Sequence, residues 1–214
     1  MAQEFQIMGM TPWKQLLLGA LEANSHLKFS SYFQLATVGP NGRPSNRTVV
    51  FRGFDEDSDR LQINTDSRTR KIEELNYNPY AEICWYFTDS WEQFRISGSI
   101  DIVDESSLDP LKSQKREKSW SASSSRSKQQ YLGPAPGLPC LNDQPLEYTE
   151  CTSFPVPTFC LLIMDPDRVR TSNTLGFLLH EKNFQVDYCN LKKNQRFLYK
   201  LSSERCWEAE EVNP

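Results

Sequence analysis

The chain has 214 residues, enough for one large domain or two small ones with a real core. Charged residues make up 24% and hydrophobic residues 38%, the balance of a globular rather than a disordered chain. A net charge of −4 and a pI of about 5.3 argue against non-specific nucleic-acid binding.

The six cysteines, Cys84, Cys140, Cys151, Cys160, Cys189 and Cys206, form no C-x-x-C pair, and His26 and His180 are remote from any cysteine cluster. A structural zinc site needs closer ligand spacing, so no metal is expected and the cysteines read as reduced thiols. The first ten residues lack a basic segment followed by an apolar one, and no apolar run approaches the roughly 20 residues of a membrane span. The expectation is a soluble, cytoplasmic protein with neither membrane nor nucleic-acid partners.

In chain order, Thr11-Pro12-Trp13 opens a helix, with Thr11 as candidate cap and Pro12 at the first helical position. Trp13, Leu16, Leu17, Ala20 and Leu21 recur at helical spacing. That apolar face suits packing on a sheet better than a dimer contact. Ser31 to Val38 alternates as a strand, Gly39-Pro40-Asn41-Gly42 is a turn, and Ser45 to Arg52 is the returning strand. The acidic turn 55–59 lacks the ligand spacing of a calcium loop. Leu61 to Thr65 is a third strand and Thr69 to Asn76 a helix, closed by Asn78-Pro79. Ala81 to Phe87 and Gln93 to Val103 are strands four and five. Residues 106–130 read as polar helix, with Lys112 to Lys118 as a solvated charge run, and 133–157 as a proline-rich loop. Phe159 to Met164 is a sixth strand, and Phe197 to Leu201 with Cys206 to Val212 forms a last hairpin. Short strands with hairpin links predict a mainly β, antiparallel barrel with flanking helices, in a single domain over 1–214.

Residues 46–71 concentrate the chemistry. Arg47 and Arg52 lie on one strand, and Thr65, Thr69, Arg70 and Lys71 gather at the start of a helix. Guanidinium forks, a lysine charge, hydroxyls and unpaired first-turn N–H groups suit a phosphate dianion. Taken alone, the same cations also fit a surface salt-bridge cluster.

The ordered set Arg-x-Val-Val-x-Arg, Asn-Thr, Thr-Arg-Lys, Asn-Pro, Trp91-Glu92-Gln93-Phe94, Trp120 with its serines and Asn-Gln-Arg-Phe-Leu-Tyr at 194–199 resembles the pyridoxamine 5′-phosphate oxidase family. The resemblance runs from about Trp13 to the last residue. It implies a six-stranded antiparallel FMN-binding split barrel, a homodimer with FMN at the subunit interface, and oxidation of pyridoxamine or pyridoxine 5′-phosphate to pyridoxal 5′-phosphate. Oxygen would be the second substrate and hydrogen peroxide a product. Carried over by position, the cofactor contacts are Arg47, Val49, Val50, Arg52, Asn64, Thr65, Thr69, Arg70, Lys71, Gln93, Ser124, Ser125 and Arg196. Gln93 would reach the flavin from the partner strand. Substrate contacts fall on Arg52, Lys192 and Asn194. No side chain is assigned as a catalytic acid, base or nucleophile, since the cofactor carries the chemistry.

The substrate side departs from the family pattern. Arg52 stands in place of a lysine, and the Arg-x-His pair reads Lys192-Lys193-Asn194. The residues that grip substrate phosphate find no clear match around Ser107, Leu111 and Lys115, with Lys115 and Arg116 as the available cations. The flavin-stacking tryptophan falls on Cys189, and residues 170–185 read as an insert. These departures keep two other readings open: an FMN-dependent reductase of another small molecule, and a flavin-binding protein without turnover.

Overall fold

The computed structural model describes residues 10–56, 58–139, 152–166, 185–202 and 206–214. Its elements are α1 (Pro12–Ala23), β1 (Tyr32–Val38), β2 (Pro44–Phe54), β3 (Leu61–Asp66), α2 (Arg70–Tyr77), β4 (Tyr80–Phe87) and β5 (Glu92–Val103). They continue with α3 (Pro110–Ser121), α4 (Ser125–Gln129), β6 (Phe159–Asp165), β7 (Gln185–Asn190), β8 (Gln195–Leu201) and β9 (Trp207–Val212).

Six strands close into an antiparallel barrel in the order β4-β1-β2-β3-β6-β5, sealed by the β4–β5 pairing. The barrel is split along β5. Residues Ser99 to Val103 pair with β6, whereas Glu92 to Ile96 pair with both β4 and β7, and β8 and β9 continue the sheet outward from β7. The predicted strands are all present. β7 is an additional strand, and the insert 170–185 lies outside the described residues except for Gln185, which begins β7.

The β1–β2 turn has Gly42 at φ +71°, and Gly42 N–H donates to Gly39 C=O at 2.9 Å. This turn sets the hairpin register, with Thr37 opposite Ser45 and Leu35 opposite Arg47. A register shift between Phe51 and Gly53, with Gly53 at φ +129°, bends β2 where it meets β3.

Phe33, Leu35, Ile83, Trp85, Phe94, Ile96, Leu61, Ile63, Leu162 and Met164 fill the barrel. The apolar face of α1 joins them: Trp13 and Leu17 are fully buried, and Trp13 meets Phe54 and Trp207. Thr11 precedes the helix but makes no capping bond, and its hydroxyl is buried without a partner among the described residues. α3 lies against β5 and β6. The run Lys112 to Lys118 is therefore not a solvated face throughout. Arg116 is buried, and donates from Nε to the Phe159 carbonyl at 2.9 Å and from Nη2 to the Val156 carbonyl at 2.6 Å. No helix of the described residues is long and apolar enough to cross a membrane.

Candidate functional site

The first cluster sits where α2 meets β1, β2 and β3. Side chains alternate along a strand, so Arg47 and Val49 share the inward face of β2 with Leu35 and Phe33 of β1, while Val50 and Arg52 face outward. Thr65 is likewise buried, whereas Asn64 next to it faces the other side. Lys71 donates to Thr65 Oγ1 at 2.9 Å and to Thr69 Oγ1 at 3.0 Å. It makes no ion pair with a described residue. Burial, followed by the nearby charge of Arg47, pushes its ammonium below the usual lysine value. Thr69 precedes α2 in extended conformation and donates to the Asp66 carbonyl. Arg70, at the first helical position, is exposed.

Arg47 is engaged. Nη1 donates to the Leu35 carbonyl and to Thr37 Oγ1, and Nη2 donates to Glu74 Oε2 at 2.6 Å. Its Nε–H and second Nη2 hydrogen have no partner among the described residues. Arg47, Lys71, the Thr65 hydroxyl and the opening turn of α2 thus present uncommitted donors in one place, with Thr69 holding the Lys71 ammonium beside them. That donor set fits a phosphate.

The second cluster is a cavity of about 360 Å³ between β2, β3 and α3, with Arg52, Asn64, Lys115, Ser119 and Ser123 among its lining residues. Ser119 Oγ donates to Asn64 Oδ1 at 2.7 Å, and Asn64 Nδ2 donates to Ser123 Oγ at 3.2 Å. Lys115 is held at 2.6 Å by Asp55, a carboxylate that is 2% exposed. Lys118 pairs with Glu56 in the open. Arg52 is exposed and makes no ion pair with a described residue. Arg116, the other candidate cation, takes no part because its guanidinium is spent on backbone carbonyls.

The third group lies on the outward face of the sheet. Tyr32 is opposite Val50, Tyr86 opposite Gln93, Gln93 opposite Cys189, and Cys189 opposite Arg196. β1 and β4 are adjacent, with Gln34 opposite Cys84, so Val50, Tyr32, Tyr86, Gln93, Cys189 and Arg196 form one row across six strands. Val50 and Gln93 are separated by β1 and β4, about 14 Å along the sheet at ~4.8 Å per strand. Arg196 is forked onto Asp187 at 3.0 and 2.8 Å.

One chain therefore gathers Arg47, Thr65, Thr69, Arg70 and Lys71, and separately Arg52 and Asn64. Gln93 and Arg196 stand apart from both groups. Ser124 caps α4 and Ser125 begins it, one and two residues beyond the Ser123 that meets Asn64. Lys192 lies over the Trp91 ring and donates to the Asp89 carbonyl, and Asn194 turns the β7–β8 hairpin at φ +51°. Both belong to that hairpin end rather than to the cavity.

A family model described as the pyridoxamine 5′-phosphate oxidase FMN-binding domain matches residues 10–104. A relative from Arabidopsis thaliana, named pyridoxine/pyridoxamine 5′-phosphate oxidase 2, is 53% identical over 211 residues, covering 96% of this chain and 98% of that one. The chain belongs to the pyridoxamine 5′-phosphate oxidase family of FMN-binding proteins. It is an FMN-dependent oxidoreductase, and FMN is its cofactor. A solved pyridoxamine 5′-phosphate oxidase-related, FMN-binding protein from Nostoc punctiforme superposes with a TM-score of 0.85 at 35% identity, over 97% of this chain and 100% of that one. PhzG from Burkholderia lata shares the fold, with a TM-score of 0.71 at 18% identity over 100% of this chain and 98% of its own. The phosphate-fitting donor set at α2 agrees with this cofactor.

The sequence reading missed Glu74, Thr37 and Ser45, which surround Arg47. The signals were available: the Gly39–Gly42 turn places Thr37 opposite Ser45, and Glu74 follows Lys71 by three residues on one helix face. Ser119, Ser123 and Asp55 were also missed. Nothing local marks them, because only the packing of α3 on β3 brings them to Asn64 and Lys115.

Proposed function

We propose that the protein oxidises pyridoxamine or pyridoxine 5′-phosphate to pyridoxal 5′-phosphate, with oxygen as acceptor and hydrogen peroxide as by-product. The observation that carries this reading is the near-complete match to the Arabidopsis oxidase together with the donor set at α2. Bound FMN supplies the two-electron oxidation at the carbon bearing the amine or hydroxyl.

The chain's own residues bind and orient. Lys71, Arg47, Thr65, Thr69 and Arg70 hold the cofactor phosphate, and Val50, on the outward face of β2, lines the flavin. Val49 faces the core and supports the strand from behind. Arg52 and Lys115 offer the α3 cavity two cations for the phosphate of the substrate, with Asn64, Ser119, Ser123 and the neighbouring Ser124 and Ser125 as hydrogen-bonding groups. Lys192 is held at the hairpin end by the Asp89 carbonyl and the Trp91 ring, and Asn194 shapes the turn there.

The site takes a second copy of the chain. Gln93 and Arg196 occupy the same outward row as Val50, but too far along it for one ring to touch Val50 and Gln93 of one chain. A second copy packed on this outward face would supply Gln93 and Arg196 to the flavin site that Val50 lines. We also take the chain as one domain, because all described strands join one sheet.

The test is aerobic incubation of the purified, FMN-loaded protein with pyridoxamine 5′-phosphate. Pyridoxal 5′-phosphate and peroxide are expected in equal amounts. A flavin-loaded protein that forms neither overturns this reading in favour of another substrate.

A further inference from the structure

Glu74 is a nearly buried carboxylate in α2. It accepts hydrogen bonds from Thr37 Oγ1 at 2.6 Å, Ser45 Oγ at 2.8 Å and Arg47 Nη2 at 2.6 Å. Thr37, itself 1% exposed, donates to Glu74 and accepts from Arg47 Nη1. Glu74 and Thr37 together therefore occupy the Nη1–Nη2 edge of the guanidinium, and the Leu35 carbonyl takes a further Nη1 contact. The Nε–Nη2 edge is left without a described partner. A guanidinium presents such an edge as two parallel donors, the geometry that matches a phosphate.

Lys71 and Glu74 are three residues apart on α2, whereas Arg47 comes from β2. Glu74 is thus the link that fixes the strand-borne cation relative to the helix-borne one. With Asp66 it also supplies negative charge beside the two cations: burial and then Arg47 lower the Lys71 ammonium, and Asp66 and Glu74 act in the opposite direction. Burial pushes the Glu74 carboxyl up, but the bonds from Thr37, Ser45 and Arg47 more than offset this and leave it below its usual range, hence ionised.

We propose that Glu74 is a positioning residue of the cofactor cradle: it anchors one edge of Arg47 so that the opposite edge is presented to the FMN phosphate. The proposal rests on the reading of Arg47 and Lys71 as the phosphate site. A carboxylate beside an anion site can instead compete with the anion for its arginine. The two roles predict opposite effects of removing it.

The experiment compares FMN with riboflavin, which is the same flavin without the phosphate. Both are titrated into the full-length apoprotein by fluorescence quenching, for the wild type, Glu74→Ala and Glu74→Gln. Positioning predicts that Glu74→Ala weakens FMN about tenfold or more while riboflavin affinity is unchanged. Glu74→Gln keeps most of the FMN affinity, because its amide oxygen still accepts from Arg47. Equal or tighter FMN binding by Glu74→Ala overturns the proposal and favours competition. An equal loss of riboflavin also overturns it, since that marks general damage, and so does a Glu74→Gln variant as weak as Glu74→Ala. A wild type that binds riboflavin as tightly as FMN refutes the phosphate site itself, a failure visible before any variant is made.

Discussion

Replacing Lys71 by methionine separates the cofactor cradle from an ordinary surface charge cluster. Methionine keeps the apolar stem and removes a half-buried ammonium that bonds only to Thr65 and Thr69 among the described residues. The substitution deletes a charge-assisted hydrogen bond to the phosphate, worth about 1.5–3 kcal/mol, so FMN affinity should fall about 10- to 150-fold. The apoprotein should be no less stable, because burial already disfavours the ammonium. The pH dependence has a definite sign. The folded-state pKa of Lys71 lies below the usual 10.5, so the unfolded chain holds its proton more tightly. Wild-type apoprotein therefore gains stability as pH rises from the lowered value to 10.5, and Lys71→Met lacks that gain. The assays are fluorescence titration with FMN and riboflavin, and denaturation of the apoprotein across the alkaline range. Unchanged FMN affinity, or an equal loss for riboflavin, refutes the assignment.

Arg52→Ala removes an exposed cation with no described ion pair from the α3 cavity. Steady-state kinetics should show KM for pyridoxamine 5′-phosphate raised about tenfold, kcat little changed, and folding stability within about 0.5 kcal/mol of wild type. An unchanged KM removes Arg52 from the substrate site. Arg116→Met leaves the Val156 and Phe159 carbonyls without their donor and should cost about 2–4 kcal/mol in urea denaturation, with FMN affinity retained. Loss of FMN affinity without loss of stability would contradict the structural role given to it. Co-expressing Lys71→Met with a Gln93→Ala, Arg196→Ala double variant should restore wild-type FMN affinity, which neither chain shows alone, at one site per mixed pair. A mixture no better than its parents argues against a shared site.

The architecture was readable from local signals. Alternating segments, the Gly39–Gly42 turn and the Asn78-Pro79 stop delimit strands and helices whose packing follows from side-chain period alone. The start of α2, with Thr69, Arg70 and Lys71, was readable for the same reason, since a helix terminus and its flanking cations are local. What escaped was pairwise. Arg47 looked like a free fork, but its fork is shared with Glu74 from a helix 27 residues away. Arg116 looked solvated within a charge run, yet it faces the barrel and satisfies two backbone carbonyls. Lys192 and Asn194 matched substrate positions by count; the fold sets Lys192 against Trp91 and Asp89 and places Asn194 in the hairpin turn. Gln93 and Arg196 matched cofactor positions and do share a row with Val50, but their distance along it could be seen only once the strand order β2-β1-β4-β5 was known.

Aerobic turnover decides whether the flavin of this chain oxidises a B6 vitamer phosphate. FMN-loaded protein is mixed with pyridoxamine 5′-phosphate, and pyridoxal 5′-phosphate is followed by absorbance alongside peroxide by a coupled peroxidase assay. Equimolar formation of both is expected, about tenfold slower in Arg52→Ala at low substrate. Protein that carries FMN and yields neither product from pyridoxamine or pyridoxine 5′-phosphate would contradict it.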